Sequence, residues 1–289
     1  MAKEPMKQAT IDEETGKPLS RRIASVLKAA TGKPDPKYFT SAVIVAAGSS
    51  TRMQGGSKQM MLLAGMPVIA HTIRAFEMTP CIHEIVIVAK ESELSLYEEL
   101  KAQYGFKKIS AVIAGGATRQ ESVRLGLDAV NPKSAFVAIS DGARCLVTPE
   151  NITRVCRNAY LHGAATAATP ATDTVKIADK HAFVVSTTER KSTWLATTPQ
   201  VFKTNLYRAA AYTALTEGFE GTDDNSLVEH IEYPVKLVDC GRENIKITTP
   251  ADLYLAEAIL RYRRDTHAYR KENGEDTGEK SESKENTET

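Results

Sequence analysis

The stretch Ala42-Val43-Ile44-Val45-Ala46-Ala47-Gly48-Ser49-Ser50-Thr51-Arg52-Met53 decides how the rest of the chain is read. Its first half is a continuous apolar run, too short for a helix and without alternation, the pattern of a strand buried on both faces of a parallel sheet. Its second half is a loop of small residues. Such residues let a ligand approach the backbone closely, and successive N–H groups there form an anion-binding concavity. Open α/β sheets bind ligands beyond the carboxyl ends of their strands, which is where this loop lies. Arg52, and Lys58 in the following Ser57-Lys58-Gln59, add two cations, so polyphosphate is the natural counterpart. The Gly-Lys-Ser/Thr ending of a Walker loop is absent, as is GxGxxG.

Outward from this strand the same pattern returns. Ile85 to Ala89, Ala111 to Ala114 and Phe136 to Ile139 are further apolar runs. Helical periodicity covers Pro67 to Met78, Leu94 to Tyr104, Arg119 to Val130 and Pro149 to His162, the last opening on a proline suited to a first turn. The rhythm predicts an α/β fold: an open, mostly parallel, doubly wound sheet. It breaks between Thr169 and Gln200. There Val175-Lys176-Ile177 and Phe183-Val184-Val185 flank Ala178-Asp179-Lys180-His181, predicting a hairpin. That hairpin is either a projecting dimerisation arm or an antiparallel edge extension of the sheet. A helix from Lys203 to Glu217, a strand from Val235 to Asp239 and a helix from Pro250 to Tyr262 resume the pattern.

The 289 residues carry 37 Lys+Arg against 36 Asp+Glu, a net charge of +1, which argues against a general nucleic-acid or membrane-surface binder. No apolar run approaches the roughly 18 residues of a membrane span, and the polar Met1 to Lys17 has no secretory apolar core. Cys81, Cys145, Cys156 and Cys240 form no CxxC pair and read as reduced, mostly buried thiols of a cytoplasmic protein. Three regions follow: an N-terminal extension (1–40) with one candidate helix at Ser20 to Ala30, a folded domain (41–262) with its arm at about 171–200, and a charged tail (263–289). From Lys271 onward that tail lacks large apolar residues and is expected to be disordered.

Three further motifs carry chemistry. Gly115-Gly116 precedes Arg119-Gln120-Glu121-Ser122-Val123 and suits either a loop lying against a flat base, with Ser122 as a hydrogen-bonding group, or an ordinary strand–helix turn. Ser140-Asp141-Gly142-Ala143-Arg144 ends the fourth apolar run. A carboxylate there is a hard ligand for Mg²⁺ shared with phosphates, or a cap. Thr222-Asp223-Asp224 reads as the cap and acidic first turn of a short helix. The six histidines show no metal-binding spacing.

Taken together, Ala46-Ala47-Gly48, Arg52-Met53 and Lys58-Gln59 resemble the cytidylyltransferases of small polyol phosphates, above all the 2-C-methyl-D-erythritol 4-phosphate cytidylyltransferase family. The likeness runs from about Ser41 to Arg261. It implies a Rossmann-like nucleotidyltransferase domain, CTP and a polyol phosphate as substrates, a divalent cation such as Mg²⁺, and a homodimer that exchanges β-arms. The product would be a CDP-polyol of non-mevalonate isoprenoid biosynthesis. By the same resemblance Arg52, Lys58 and Lys246 would offset charge on the transferred phosphate. Ala46, Ala47, Gly48, Gly115, Gly116, Ser122 and Gly142 would cradle the nucleotide, and Asp141 would hold the metal. Arg144, Thr222 and Asp223 would face the second substrate, joined by Asp173, Thr174, Arg190 and Thr198 of the arm reaching into the partner's site. The chain departs from the family pattern at Ala117, commonly Asp, at Gly142, commonly Ala, and at Cys145, commonly Pro. Ribitol 5-phosphate as the substrate, and a degenerate nucleotide-binding regulator, are the alternative readings.

Overall fold

A computed structural model of the protein describes residues 38–48 and 57–272. Strand β1 (Thr40–Val45) is buried along its whole length, as a continuous apolar run requires. After it come a small hairpin, β2 (Leu62–Leu63) and β3 (Met66–Pro67), then α1 (Val68–Met78), β4 (Glu84–Ala89), α2 (Leu94–Tyr104), β5 (Ile109–Ala114), α3 (Arg119–Ala129), β6 (Phe136–Asp141) and α4 (Pro149–His162). The second half holds β7 (Ala164–Pro170), β8 (Lys176–Ala178), β9 (Val184–Thr187), β10 (Trp194–Lys203), α5 (Thr204–Glu217), α6 (Asp224–His230), β11 (Lys236–Asp239) and α7 (Pro250–Glu272).

Seven strands form one sheet in the order β11-β7-β10-β6-β1-β4-β5. All neighbouring pairs are parallel except those of β10, which runs antiparallel to both β6 and β7. The strand order reverses around β1, the kind of switch point at which such sheets bind ligands. Alternate residues of β1 serve opposite faces. Ala42 and Ile44 join Ile69, Phe76, Tyr97 and Val155 in one core, whereas Val43 and Val45 join Val123, Leu127, Phe202 and Tyr207 in the other. The α/β, doubly wound reading therefore holds. The predicted hairpin is a separate two-stranded sheet, β8–β9, exposed along its length, so it projects as an arm and does not extend the main sheet.

Three elements differ from expectation. The arm, expected over about 171–200, ends earlier, because Trp194–Lys203 is strand β10 of the main sheet, paired with β7 and β6. Ala164–Pro170 gives no strand signal, being alanine and threonine with no large apolar residue and a closing proline, yet β7 is an inner strand paired with both β10 and β11. The last helix does not stop at Tyr262 but continues to Glu272, with Arg263 bonded to Glu243 Oε2 (2.7 Å) and to the Leu146 carbonyl (2.9 Å). The candidate helix Ser20 to Ala30, the loop 49–56 with Arg52, and residues 273–289 lie outside the described residues. Among the described residues no helix is long and apolar enough to cross a membrane.

Helix α3 packs on β1 and β4 through Gly126. A Cβ there would lie 2.5 Å from Val43 Cγ1 and 2.8 Å from Val88 Cγ2. Gly126→Val is expected to destabilise the fold by about 1–3 kcal/mol through overpacking. Urea denaturation checks this, and an unchanged midpoint would mean that the layer gives way freely.

Candidate active site

The site forms where the loops after β1, β5 and β6 meet. Each strand's ladder continues one step past its end: Ala46 N–H donates to Val88 O (2.7 Å), Gly115 N–H to Ala89 O (2.8 Å) and Gly142 N–H to Val45 O (2.8 Å). The three loops are thereby held side by side. Between them lies a cavity of about 350 Å³ lined by Ala47, Gly48, Lys58, Gly116, Ser122, Asp141, Gly142 and Lys246, among others. Glycine is required for this closeness at Gly115, where a Cβ would stand 2.5 Å from the Ala47 methyl and 2.8 Å from Ser122 Oγ. Ser122 shapes the same loop, its hydroxyl donating to Thr118 O (2.8 Å) and accepting from Gly116 N–H (3.1 Å). Ala117, where the family commonly has Asp, gives its N–H to Glu121 Oε2 at 2.8 Å, so a carboxylate stands beside this turn after all.

Asp141 is the last residue of β6 and is buried at the cavity wall. Burial alone would raise its pKa. The charges of Arg119, Lys246 and Arg144 outweigh burial and bring it down to about 2, so the carboxylate is ionised at neutral pH. Lys246 Nζ lies 2.8 Å from Oδ2, Arg119 Nε 3.2 Å from Oδ1, and Arg144 Nε 3.9 Å from Oδ2. Lys246 comes from far along the chain, on a segment fixed at several points. Ile247 N–H donates to Ala143 O (2.9 Å), Asn244 Nδ2 to Thr198 O (2.8 Å), and Arg144 to Asn244 O (2.8 Å). Beneath it Ile247, Leu63, Val68, Cys145, Leu146 and Ala256 form a small third core. Cys145, in the place of the family's proline, is one of its buried members, and burial pushes its thiol up to about 12.

The remaining expected residues divide into two groups. Thr198 is buried next to Asp141, its Oγ1 accepting from the Asp141 N–H at 3.1 Å and lying 3.1 Å from Ser140 Oγ. Asp223 caps α6: its Oδ1 accepts from the Ser226 N–H (3.0 Å) and hydroxyl (2.7 Å), and its Oδ2 from Gln200 (2.8 Å) and Asn225 (2.9 Å). Those four bonds, one of them from Gln200 of β10, fill the carboxylate's capacity within the fold. Thr222 is exposed beside it, its Oγ1 3.2 Å from Ser226 Oγ. The other group sits on the arm, where Arg190 donates to Thr174 Oγ1 at 3.0 Å with Asp173 exposed nearby. Asp173, Thr174 and Arg190 do not line the cavity of their own chain. Arg119 is the residue whose role sequence motifs alone do not disclose. Besides Asp141 it holds Asp224 Oδ2 at 2.7 Å. The one signal for it is a guanidinium in the first turn of a helix, against the helix dipole.

A glycine-lined cavity at a sheet switch point, with an ionised aspartate ringed by cations, is what a nucleotide triphosphate site needs. The family model for 2-C-methyl-D-erythritol 4-phosphate cytidylyltransferase matches residues 40–262. The chain belongs to this family. The 2-C-methyl-D-erythritol 4-phosphate cytidylyltransferase of Caldanaerobacter subterraneus subsp. tengcongensis is 44% identical over 223 residues, 76% of this chain and 98% of that protein. The Syntrophus aciditrophicus enzyme of the same name is 43% identical over 222 residues, 76% of this chain and 95% of that one. Among solved structures, 4-diphosphocytidyl-2C-methyl-D-erythritol synthase from Anaerococcus prevotii superposes with a TM-score of 0.70 at 31% identity, covering 78% of this chain and 97% of that one. In this cytidylyltransferase family member the match begins at the first residue of β1 and ends within α7.

Proposed function

We propose that this chain transfers CMP from CTP to 2-C-methyl-D-erythritol 4-phosphate, giving CDP-methylerythritol and pyrophosphate in the non-mevalonate route to isoprenoids. The observation that carries the reading is the ionised Asp141, 2.8 Å from Lys246 on the wall of the glycine-lined cavity, in a chain 44% identical to a named cytidylyltransferase. A phosphate oxygen of the polyol substrate attacks the α-phosphorus of CTP. The new O–P bond forms as the bond to the bridging α–β oxygen breaks, and pyrophosphate leaves with that electron pair. With a second pKa near ~6, the attacking phosphate monoester is largely ionised at neutral pH, so no side-chain base is needed. Catalysis then consists of positioning and charge stabilisation. Lys58 and Lys246, with Arg52, offset the charge that develops on the transferred phosphate. Gly116, Ala47 and Gly48 let the nucleotide lie against the backbone.

The donor set fits Mg²⁺. Among the described residues no three His, Cys, Asp or Glu side chains cluster to hold an ion alone, whereas Mg²⁺ is commonly bound by one or two carboxylates plus substrate phosphates. Asp141 is the carboxylate that would hold it. Once bound, the ion would neutralise phosphate charge at the reacting centre. The exposed arm supports a homodimer in which Thr174 and Arg190 serve the partner's site, and four buried, unpaired cysteines support a cytoplasmic setting.

The test is pyrophosphate release from CTP and Mg²⁺ with 2-C-methyl-D-erythritol 4-phosphate and ribitol 5-phosphate in parallel. Turnover is expected with the first and at least about tenfold lower kcat/KM with the second, the loss of about one well-made contact. Preference for ribitol 5-phosphate would reassign the substrate. No turnover with either, in a protein that still binds CTP, would favour the regulator.

A further inference from the structure

Arg119 opens α3, and its side chain spans two carboxylates, one at the end of β6 and one in the first turn of α6. Its Nε donates to Asp141 Oδ1 (3.2 Å) and its second terminal nitrogen to Asp224 Oδ2 (2.7 Å). Asp224 is only 1% exposed and does not line the cavity. Its Oδ1 accepts from the Tyr207 hydroxyl at 2.7 Å, and its own N–H donates to Gln200 Oε1 at 3.0 Å. Tyr207 is itself fully buried and stacked on Phe202 at a centroid distance of 5.0 Å. The chain Tyr207–Asp224–Arg119–Asp141 thus runs from the core to the cavity wall with a hydrogen bond at every step. Burying Asp224 is costly, and a buried ion pair is weak ground for stability. A cation at a helix N-terminus adds to that cost. What the arrangement achieves is geometric. Arg119 takes one oxygen of Asp141, and the other, Oδ2, is left facing Lys246 and, at 3.9 Å, Arg144.

We propose that Arg119 is a positioning residue, anchored by Asp224 and Tyr207, that fixes the orientation of the Asp141 carboxylate in the cavity. This rests on the functional reading above, in which Asp141 serves the reacting phosphates. Lysine at this position keeps the charge but is a point donor without the guanidinium fork, and cannot reproduce its two directed bonds.

The experiment combines Arg119→Lys, Asp224→Asn, their double variant and Tyr207→Phe, each checked for folding by circular dichroism and thermal melting. With the wild type's preferred polyol phosphate, Arg119→Lys and Asp224→Asn are each expected to lower kcat by about tenfold or more, as a small misplacement of a reacting group can. The KM for CTP stays within about threefold. The double variant is no worse than the weaker single one by more than about twofold, because the two residues act as one unit. Tyr207→Phe, which removes a single hydroxyl and serves if the others misfold, lowers kcat less but in the same direction. A crystal structure of Arg119→Lys should show the Asp141 carboxylate turned from its wild-type orientation. An unmoved carboxylate, an unchanged kcat in folded Arg119→Lys, or fully additive losses each overturn the proposal. So does a normal Asp224→Asn beside an impaired Arg119→Lys, which would mean that Arg119 touches substrate itself. If the wild type turns over neither polyol phosphate, the functional reading falls, and the orientation of Asp141 in the variant still decides the positioning role.

Discussion

Asp141→Asn is expected to lower kcat by about 10²-fold or more, the scale seen when one preorganised electrostatic group is removed from a reacting centre. Asparagine keeps the shape of the side chain and removes its charge. Arg119, Lys246 and Arg144 then face one another without the carboxylate that separates them. The amide is also a poor partner for Mg²⁺, so raising the Mg²⁺ concentration should restore little, whereas chelator-treated wild type should recover fully on Mg²⁺ addition. Stability should fall by less than the about 3–5 kcal/mol of a fully buried broken pair. The Lys246 side chain is 39% exposed, and solvent screens its share of the loss. The acid limb of stability changes too. The pKa of Asp141 is depressed in the fold, from an ordinary 3.8 to about 2, so its ion pairs contribute fully above the ordinary value and are lost as pH falls toward 2. Wild type carries that dependence and Asp141→Asn lacks it. Pyrophosphate release and melting curves across pH 2–6 measure both effects, and wild-type kcat in the folded variant would remove Asp141 from the chemistry.

How far the fold can be read in the chain depends on whether each element's residues state their environment. The runs at β1, β4 and β6 do, because only a strand covered on both faces is apolar at every position, whereas the equally apolar run Ala111 to Ala114 belongs to the edge strand β5 and is only half-buried. Ala164–Pro170 does not, since alanine marks a tight place between neighbours and those neighbours, β10 and β11, come later in the chain. The same division applies to the site. Gly115, Gly116, Asp141 and Lys58 announce themselves through local motifs at strand ends. Arg119 lies inside one of those motifs, yet its meaning comes from Asp224, 105 residues away, and from Tyr207, neither of which local spacing connects to it. Asp223 shows the converse. Its motif reads as a helix cap, while the family resemblance turns it toward substrate; the structure bears out the cap, filling both oxygens with bonds from α6 and from Gln200 of β10.

The second large effect concerns the arm. A two-stranded sheet is marginal by itself, and the β8–β9 hairpin carries exposed apolar side chains, Val185 at 67% and Val184 at 61% on β9 and Phe183 at 73% just before it. An exposed apolar patch of this kind marks an interaction surface. The pair Arg190–Thr174 sits on this arm and off its own chain's cavity, as expected if it completes the site of a two-fold partner. Lys58→Ala and Arg190→Ala homodimers should then each be nearly inactive, one lacking a cation of the nucleotide cavity and the other the cation of the arm. In a mixed dimer, one site carries both lesions and the other carries neither. Equal amounts exchanged at random give about half mixed dimers, so about a quarter of wild-type sites should reappear in a closed two-fold assembly. The measurement is pyrophosphate release after joint partial unfolding and refolding, with differently tagged subunits to count mixed dimers. Activity near a quarter of wild type requires Lys58 and Arg190 to meet across the subunit boundary. Mixed dimers with only the activity of the separate variants would place Arg190 in its own chain's service, because the two lesions would then always fall in different sites.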